Sequence, residues 1–226
     1  MIGGGRLVIV GCGETANLAY EYFTHDSEYS VTAFAADKQY VKDSSLYGLP
    51  IVDIDEMAKM YPPTEFMAFV AMGSGQLNYQ RSRMYSRIKE LDYSLASYVS
   101  SKAFVWHDVA IGNNCFILEN NVLQPFTSVG DDVVMWSGNH LGHRSKIGDH
   151  CFITSHVVIS GFCTVGGHTF IGVNSSVADK VDIACDNFIA MNTSVTKSTC
   201  ENEVYRGNPA MKAKIPARLF CGVSEN

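Results

Sequence analysis

Residues 139–161 read NHLGHRSKIGDHCFITSHVVISG, and the aliphatic residues Leu141, Ile147, Ile153 and Ile159 recur in them every six positions. The same step outward gives Val99, Val105, Ile111, Ile117, Leu123, Val129 and Met135 before them, and Val165, Ile171, Val177, Ile183, Ile189 and Val195 after them. Neither the 3.6-residue period of a helix nor the two-residue alternation of a half-buried strand fits this interval. A period of six suits a triangular β-solenoid with one hexad on each face and three to a coil. Residues 18 apart then stack on one another, and the 17 hexads from Val99 to Val195 make between five and six coils. The spacing between coils is expected at about 4.8 Å, one strand separation.

Small residues recur four places after many of these aliphatics, at Cys115, Thr127, Ser145, Cys151, Cys163, Thr169, Ser175 and Thr193. Those positions read as interior, which makes three of the cysteines core filler. Glycine often follows the aliphatic itself, as at Gly112, Gly130, Gly142, Gly148, Gly166 and Gly172, where the backbone turns a corner.

The region before residue 95 has a different texture. Short apolar runs at Arg6 to Val10, Val31 to Ala35 and Phe66 to Ala71 read as strands, and Glu14 to Phe23 and Leu77 to Leu91 as helices. Strands alternating with helices imply a small, Rossmann-like α/β unit whose parallel sheet presents a ligand crevice at the carboxyl ends of its strands. The expected organisation is an α/β domain over 1–95, a β-helix over 96–200 and a tail over 201–226.

Composition narrows the function. The chain has 226 residues, 46% of them hydrophobic, with a formal charge of −6 and scattered basic residues. That argues for a globular protein with no electrostatic grip on nucleic acid. No run reaches the length of a membrane span, and the start MIGGGRLVIV has no charged n-region or cleavage site, so a cytoplasmic location is expected. Seven cysteines with no CxxC pair read as reduced thiols.

The hexad register also places the histidines. His143 stands two residues after Leu141 at an outward corner, and 18 residues on lies Gly161, which has no side chain. An imidazole beside such a gap is a neutral base with room for an approaching thioester, which makes His143 the candidate catalytic residue. His150 and His168, 18 apart with Asp132 below them, read as solvated outward residues, and so does His107. A zinc hydrolase on this solenoid needs a His-x4-His pair, and the histidines at 140, 143, 150, 156 and 168 contain no spacing of five, so no metal is expected.

Gly11 and Gly13 in GCGETA follow the first strand, but Ala16 stands where a dinucleotide fingerprint has its third glycine. Such a turn is often only a tight connection. Asp37 follows the second strand, where an acid can bind a ribose hydroxyl.

Taken together, the opening VIVGCGETANLAYEYF (8–23), the segment MGSGQLNYQR (72–81), the hexads and the closing YRGNPAMKAKIPARL (205–219) resemble the hexapeptide-repeat bacterial sugar acyltransferases. The likeness is to the sialic acid O-acetyltransferase type, which includes N-acetyltransferases of nucleotide-linked 4-amino-4,6-dideoxy sugars. It implies a left-handed parallel β-helix, acetyl-CoA as cosubstrate, a homotrimer with acetyl-CoA between adjacent solenoids, and a place in surface-glycan biosynthesis.

The resemblance aligns GHRSKIG with the family's base motif, giving the role of base to His143. The family's acidic neighbours are replaced by Gly142 and Arg144, which leaves Asn139 or a backbone carbonyl to orient the imidazole. A backbone N–H near Gly161 is the expected oxyanion donor. Gly161, His156, Asn174 and Pro209 are expected along the acetyl-CoA path. The α/β unit is expected to hold the nucleotide through Gly11, Gly13, Glu14, Asp37 and Gly73, with Arg81 facing phosphate. Phe126, Trp136, Phe152, Phe162 and Phe170 are expected as exposed apolar residues buried between subunits. O-acetylation of a sialic-acid-like sugar and a non-catalytic sugar-nucleotide-binding solenoid are the alternatives.

Overall fold

The computed structural model describes residues 4–41, 43–209 and 211–223. They fall into two compact units, one comprising Met1–Gly73 and Arg83–Tyr98 and the other Ser74–Ser82 and Val99–Asn226.

In the first unit, β1 (Arg6–Val10) lies between β2 (Ser30–Ala36) and β5 (Phe66–Val70), parallel to both. A fourth strand that the sequence reading passed over, β4 (Leu49–Asp53), pairs parallel with β2 and carries the short antiparallel β3 (Ser45–Leu46) on its outer edge. The helices are α1 (Glu14–His25), α2 (Ile54–Met60) and α3 (Tyr79–Glu90), the last beginning within the Ser74–Ser82 segment of the second unit. Leu7, Val8, Ile9 and Val10 are all buried, so the sheet is covered on both faces, as an unbroken apolar run requires of a parallel strand. Val8 and Val10 pack with Met57 and Ile88, while Phe69 meets Phe23 edge-on with ring centroids 4.9 Å apart.

The second unit is a parallel β-helix. Two-residue strands run from Tyr98–Val99 to Ser194–Val195, and each ends on one of the aliphatics that mark the hexad. Strands pair with those 18 residues away, Leu123 with Leu141, Leu141 with Ile159, Ile147 with Val165 and Ile153 with Ile171. The aliphatics form one continuous interior column system, in which Ile117, Leu141, Ile153, Ile171 and Ile189 are fully enclosed.

The positions four residues on are interior as well, and they satisfy the turning backbone. Ser145 Oγ donates to the Ser160 carbonyl at 2.7 Å and Thr169 Oγ1 to Ala184 at 3.2 Å. The buried thiols do likewise, Cys115 Sγ to Gly130 at 3.1 Å and Cys163 Sγ to Ala178 at 3.1 Å. Burial pushes the Cys151 thiol up to about 12, so it is a packing group and not a nucleophile.

Each corner needs one residue of left-handed backbone. It falls three places after the aliphatic, from Asn114 (φ 56°) through Asp132, His150 (φ 61°), His156 and His168 to Asn192 (φ 57°). Asn, Asp and His tolerate this conformation better than most side chains. Three of the five histidines from His140 to His168 thereby meet a backbone requirement. His143 sits one residue before that position and His140 within a strand, so neither is explained by it.

The outer aromatic residues are of two kinds. Phe126 and Phe162 are exposed, as expected. Phe152 is buried and Phe170 half-buried, against expectation, because they stack with Phe188 into one ladder (5.8 and 4.9 Å between successive rings) closed at its end by Phe220. Leu77 packs against Phe170 and Phe188 from outside. Trp136 is also only partly exposed. The chain ends in an antiparallel pair, Glu203–Arg206 with Met211–Pro216, and a short helix Ala217–Phe220. No helix among the described residues is long and apolar enough to cross a membrane.

Candidate active site

The corner that carries His143 follows the strand His140–Leu141, and the hexad register puts Gly161 one coil further along it. The imidazole lies across that glycine. A Cβ on Gly161 would stand 2.7 Å from Cε1, 3.0 Å from Nε2 and 3.1 Å from Nδ1 of His143. The gap read from the sequence is therefore filled by the histidine's own ring. Phe162 meets the ring edge-on, with centroids 5.0 Å apart, and Gln124 Oε1 accepts the His143 backbone N–H at 2.8 Å. Gly142 is packed so closely beneath the next coil that a Cβ there would come within 2.5 Å of the Ser160 carbonyl carbon, so no acidic side chain fits beside the histidine at this position. On the other side, the Arg144 guanidinium lies over the Phe126 ring at 4.6 Å.

Two expectations about this corner need correction. Asn139 does not orient the imidazole: it is buried, its Oδ1 accepts the Val157 N–H at 2.7 Å, and its Nδ2 donates to the Trp136 carbonyl. The Gly161 N–H is not an open oxyanion donor, because the Asp179 carboxylate accepts it at 2.7 Å. Asp179 is a residue the sequence reading missed, although its place 18 residues after Gly161 was available as a signal.

The residues expected along the acetyl-CoA path do not converge within one chain. His156 and Asn174 occupy the corner before the strands Val158–Ile159 and Ser176–Val177, whereas His143 and Gly161 occupy the corner after the strands His140–Leu141 and Val158–Ile159. The His156 ring covers Gly138, where a Cβ would come within 2.6 Å of Nδ1. Pro209 lies in an exposed turn of the tail, and its neighbour Ala210 is outside the described residues. Lys212, in the same tail, forms an ion pair with Glu203.

In the α/β unit, Gly11, Gly13 and Glu14 follow the carboxyl end of β1, Asp37 that of β2, and Gly73 that of β5. Gly11 adopts φ 135° and passes so near β5 that a Cβ would stand 2.7 Å from the Ala71 carbonyl oxygen. Asp37, Lys38, Gln39, Asp53 and Asp55 line a hollow of about 600 Å³. Arg87, unforeseen from sequence, bridges two of these acids, Nη1 to Asp37 and Nη2 to Asp55, both at 2.6 Å.

Arg81, expected to face phosphate, is fully enclosed. Its Nε donates to Asp132 Oδ1 at 3.1 Å, and its Nη2 reaches the carbonyls of Asp132, His150 and Cys151 at 2.9, 3.1 and 3.2 Å. It holds coil corners together and offers nothing to a ligand. His150 and His168 are not simply solvated either. His150 Nδ1 is 2.9 Å from Asp132 Oδ2. His168 stacks on Tyr79 with ring centroids 4.1 Å apart, and its pKa is lowered from 6.5 to about 4, first by burial and then by the neighbouring His150. Tyr79 in turn donates to Asp186 at 2.7 Å, and Arg218 pairs with the same carboxylate.

No group of three or more potential metal ligands occurs among the described residues.

No family model and no curated protein sequence matches the chain. Solved structures do. A histidine-to-asparagine variant of perosamine N-acetyltransferase from Caulobacter crescentus, in complex with CoA and GDP-perosamine, superposes with a TM-score of 0.81 at 21% identity, over 94% of this chain and 98% of that one. The acetyltransferase domain of PglB from Neisseria gonorrhoeae FA1090, in complex with acetyl coenzyme A, gives 0.82 at 17% identity, over 93% and 100%. AntD, an N-acyltransferase from Bacillus cereus in complex with dTDP and 3-hydroxybutyryl-CoA, gives 0.52 at 17% identity, over 62% and 92%. The fold is thus a left-handed parallel β-helix preceded by a small α/β unit, an architecture shared with the first two of these structures over more than nine-tenths of the chain.

Proposed function

We propose that this protein is an acetyl-CoA-dependent N-acetyltransferase acting on the amino group of a nucleotide-linked amino-dideoxy sugar, with His143 as its base. The observation that carries the reading is the imidazole of His143 held at an exposed corner against Gly161, in a chain whose fold matches over 94% of its length that of an N-acetyltransferase bound to CoA and GDP-perosamine. The sugar amine attacks the thioester carbonyl, the C–N bond forms, the C–S bond breaks, and CoA departs as the thiolate. A ring nitrogen of His143 accepts the proton that the amine loses, which requires the neutral imidazole. No enzyme-bound acyl intermediate is needed, because the thiol beside Gly161, that of Cys163, is buried and its pKa is raised by that burial.

Gly11, Gly13, Glu14, Asp37 and Gly73 stand where a doubly wound sheet binds its ligand, and this edge is proposed to hold the nucleotide. Gly161, His156, Asn174 and Pro209 complete the acetyl-CoA path only if a second solenoid brings the two corners together, which is why a homotrimer belongs to the proposal. The exposed Phe126 and Phe162, at 59 and 48%, favour the same assembly.

The test is acetyl transfer from labelled acetyl-CoA to a panel of UDP-, dTDP-, GDP- and CMP-linked 4-amino sugars, alongside free sialic acid. Transfer to one nucleotide-linked amino sugar supports the reading. Transfer only to the hydroxyls of the free sugar acid would make the enzyme an O-acetyltransferase. Absence of CoA binding by calorimetry, even with sugar nucleotide present, would leave only a binding protein.

A further inference from the structure

We propose that Asp179 is the positioning residue of His143, acting through the backbone amide of Gly161; the inference rests on the catalytic reading of His143 above. Three residues at intervals of 18, His143, Gly161 and Asp179, form one corner column. Two of them converge on the middle one from opposite sides. The imidazole lies against Gly161 from the coil before, close enough that a Cβ at 161 would overlap it, and the Asp179 carboxylate reaches back from the coil after to take the Gly161 N–H at 2.7 Å.

The rest of the glycine is equally fixed: its carbonyl accepts the Lys180 N–H at 3.0 Å, and the next residue, Phe162, donates its own N–H to the His143 carbonyl at 3.0 Å. Gly161 is thus the seat of the ring: the Cys163 thiol donates to its carbonyl at 3.5 Å, and Asp179 supplies the side-chain bond to its N–H that sets the tilt of that seat. Without it the amide of this buried residue loses the acceptor that the structure gives it, and an unpaired buried N–H favours a shift of the peptide. A small displacement of a general base costs rate far more than it costs binding.

Other corner carboxylates do the same local job where no imidazole depends on it. Asp149 Oδ1 accepts the Asp131 N–H at 2.8 Å, and Asp131 Oδ1 the Asn113 N–H at 2.7 Å. These provide the internal comparison that separates seating a base from merely closing a turn.

The experiment compares Asp179→Ala, Asp179→Asn and Asp149→Ala by steady-state kinetics and by the imidazole resonances of His143 in the full-length protein. Asp179→Ala is expected to lower kcat roughly 10-fold or more with KM for acetyl-CoA within about twofold, and to move the His143 resonances. Asp179→Asn, whose amide oxygen still accepts the N–H, is expected to restore both. Asp149→Ala is expected to leave kcat and the His143 resonances alone. The proposal is overturned if Asp179→Ala behaves like Asp149→Ala, or if Asp179→Asn is as damaging as Asp179→Ala, which would assign the effect to charge. If the wild type transfers no acetyl group, the catalytic reading fails by itself, and the resonances still decide whether Asp179 seats the ring.

Discussion

The guanidinium of Arg81 and the carboxylate of Asp132 are both completely buried and meet at 3.1 Å, Nε to Oδ1. Such a pair is tolerated because both partners are further hydrogen-bonded: Arg81 Nη2 also reaches three backbone carbonyls, Asn114 donates to the first oxygen of Asp132, and the second faces His150. Removing one partner strands the other charge without solvent. Arg81→Ala is therefore expected to destabilise the second unit by about 3–5 kcal/mol, and Arg81→Lys to recover only part of this, since an ammonium cannot reproduce the planar fork. Urea denaturation followed by circular dichroism measures it; a loss below about 1 kcal/mol would mean that the pair is solvated in solution.

How the imidazole fills the space at Gly161 fixes the next expectation. A side chain at 161 competes first with the His143 ring, 2.7 Å from where its Cβ would stand, and only then with a ligand. Gly161→Ala and Gly161→Val should keep the fold, because His143 is exposed and its ring can swing outward. They should lower kcat by roughly 10- to 100-fold while acetyl-CoA affinity changes less. A variant with normal kcat and lost CoA binding would show instead that the gap serves the thioester directly.

Legibility from sequence followed periodicity. The solenoid could be read residue by residue because an interior aliphatic every six positions and an 18-residue stacking interval leave no freedom of register, as the Leu123, Leu141 and Ile159 ladder shows. The α/β unit was less legible: LPIVD and the short helix after it, capped by Asp53 Oδ1 on the Asp55 N–H at 3.2 Å, carry too few residues for a pattern to emerge. Site residues failed where the deciding fact was tertiary. Nothing in MGSGQLNYQR distinguishes an arginine that faces phosphate from one that caps carbonyls 51 to 70 residues away. Asp179 could have been found by adding 18 to Gly161, but a corner acid has no signature of its own.

Assembly gives a third expectation. The face between the two corners presents Phe104 and Val158, 54 and 45% exposed, with Trp106 at its edge and 41% exposed. A homotrimer that covers this face should dissociate in Val158→Glu, whose side chain points away from the core and so leaves the coil intact. Sedimentation should show trimeric wild type and a folded, smaller variant. A wild type that sediments as a monomer at micromolar concentration would remove the intersubunit acetyl-CoA path.

Acidification should weaken the second unit through His168. Its pKa in the folded protein, about 4, lies below the ordinary 6.5, with burial the main cause and His150, Asp186, Arg81 and Asp132 the charged or titratable groups that act on it. Between those two values the unfolded chain binds the proton and the folded one does not, so stability is present above pH 6.5 and falls as the pH drops towards 4. His168→Phe keeps a ring to stack on Tyr79 and abolishes the titration, so its stability should change less over that interval. Parallel urea midpoints for the two proteins from pH 6.5 to 4 would exclude His168 as a contributor.

The final expectation separates His143 from the other histidines of its stretch. His150, His156 and His168 occupy the left-handed corner position, where histidine is one of the few residue types that fit, and His150 and His168 are engaged with Asp132 and Tyr79. His143 is outside that register, exposed, and seated on a glycine. Loss of a general base typically costs 10²- to 10⁴-fold in rate, and a base that makes no ground-state contact changes kcat and not KM. His143→Ala should show that pattern with acetyl-CoA and the accepted sugar nucleotide. His156→Asn and His150→Asn, which preserve the backbone preference of their corners, should keep kcat within a few-fold of wild type at saturating acetyl-CoA, and His156→Asn, on the acetyl-CoA path, should act on KM for acetyl-CoA. Should His143→Ala turn over normally while His156→Asn does not, the base lies at the neighbouring corner, and the reacting amine must approach the solenoid from the opposite side of the Phe104 and Val158 face.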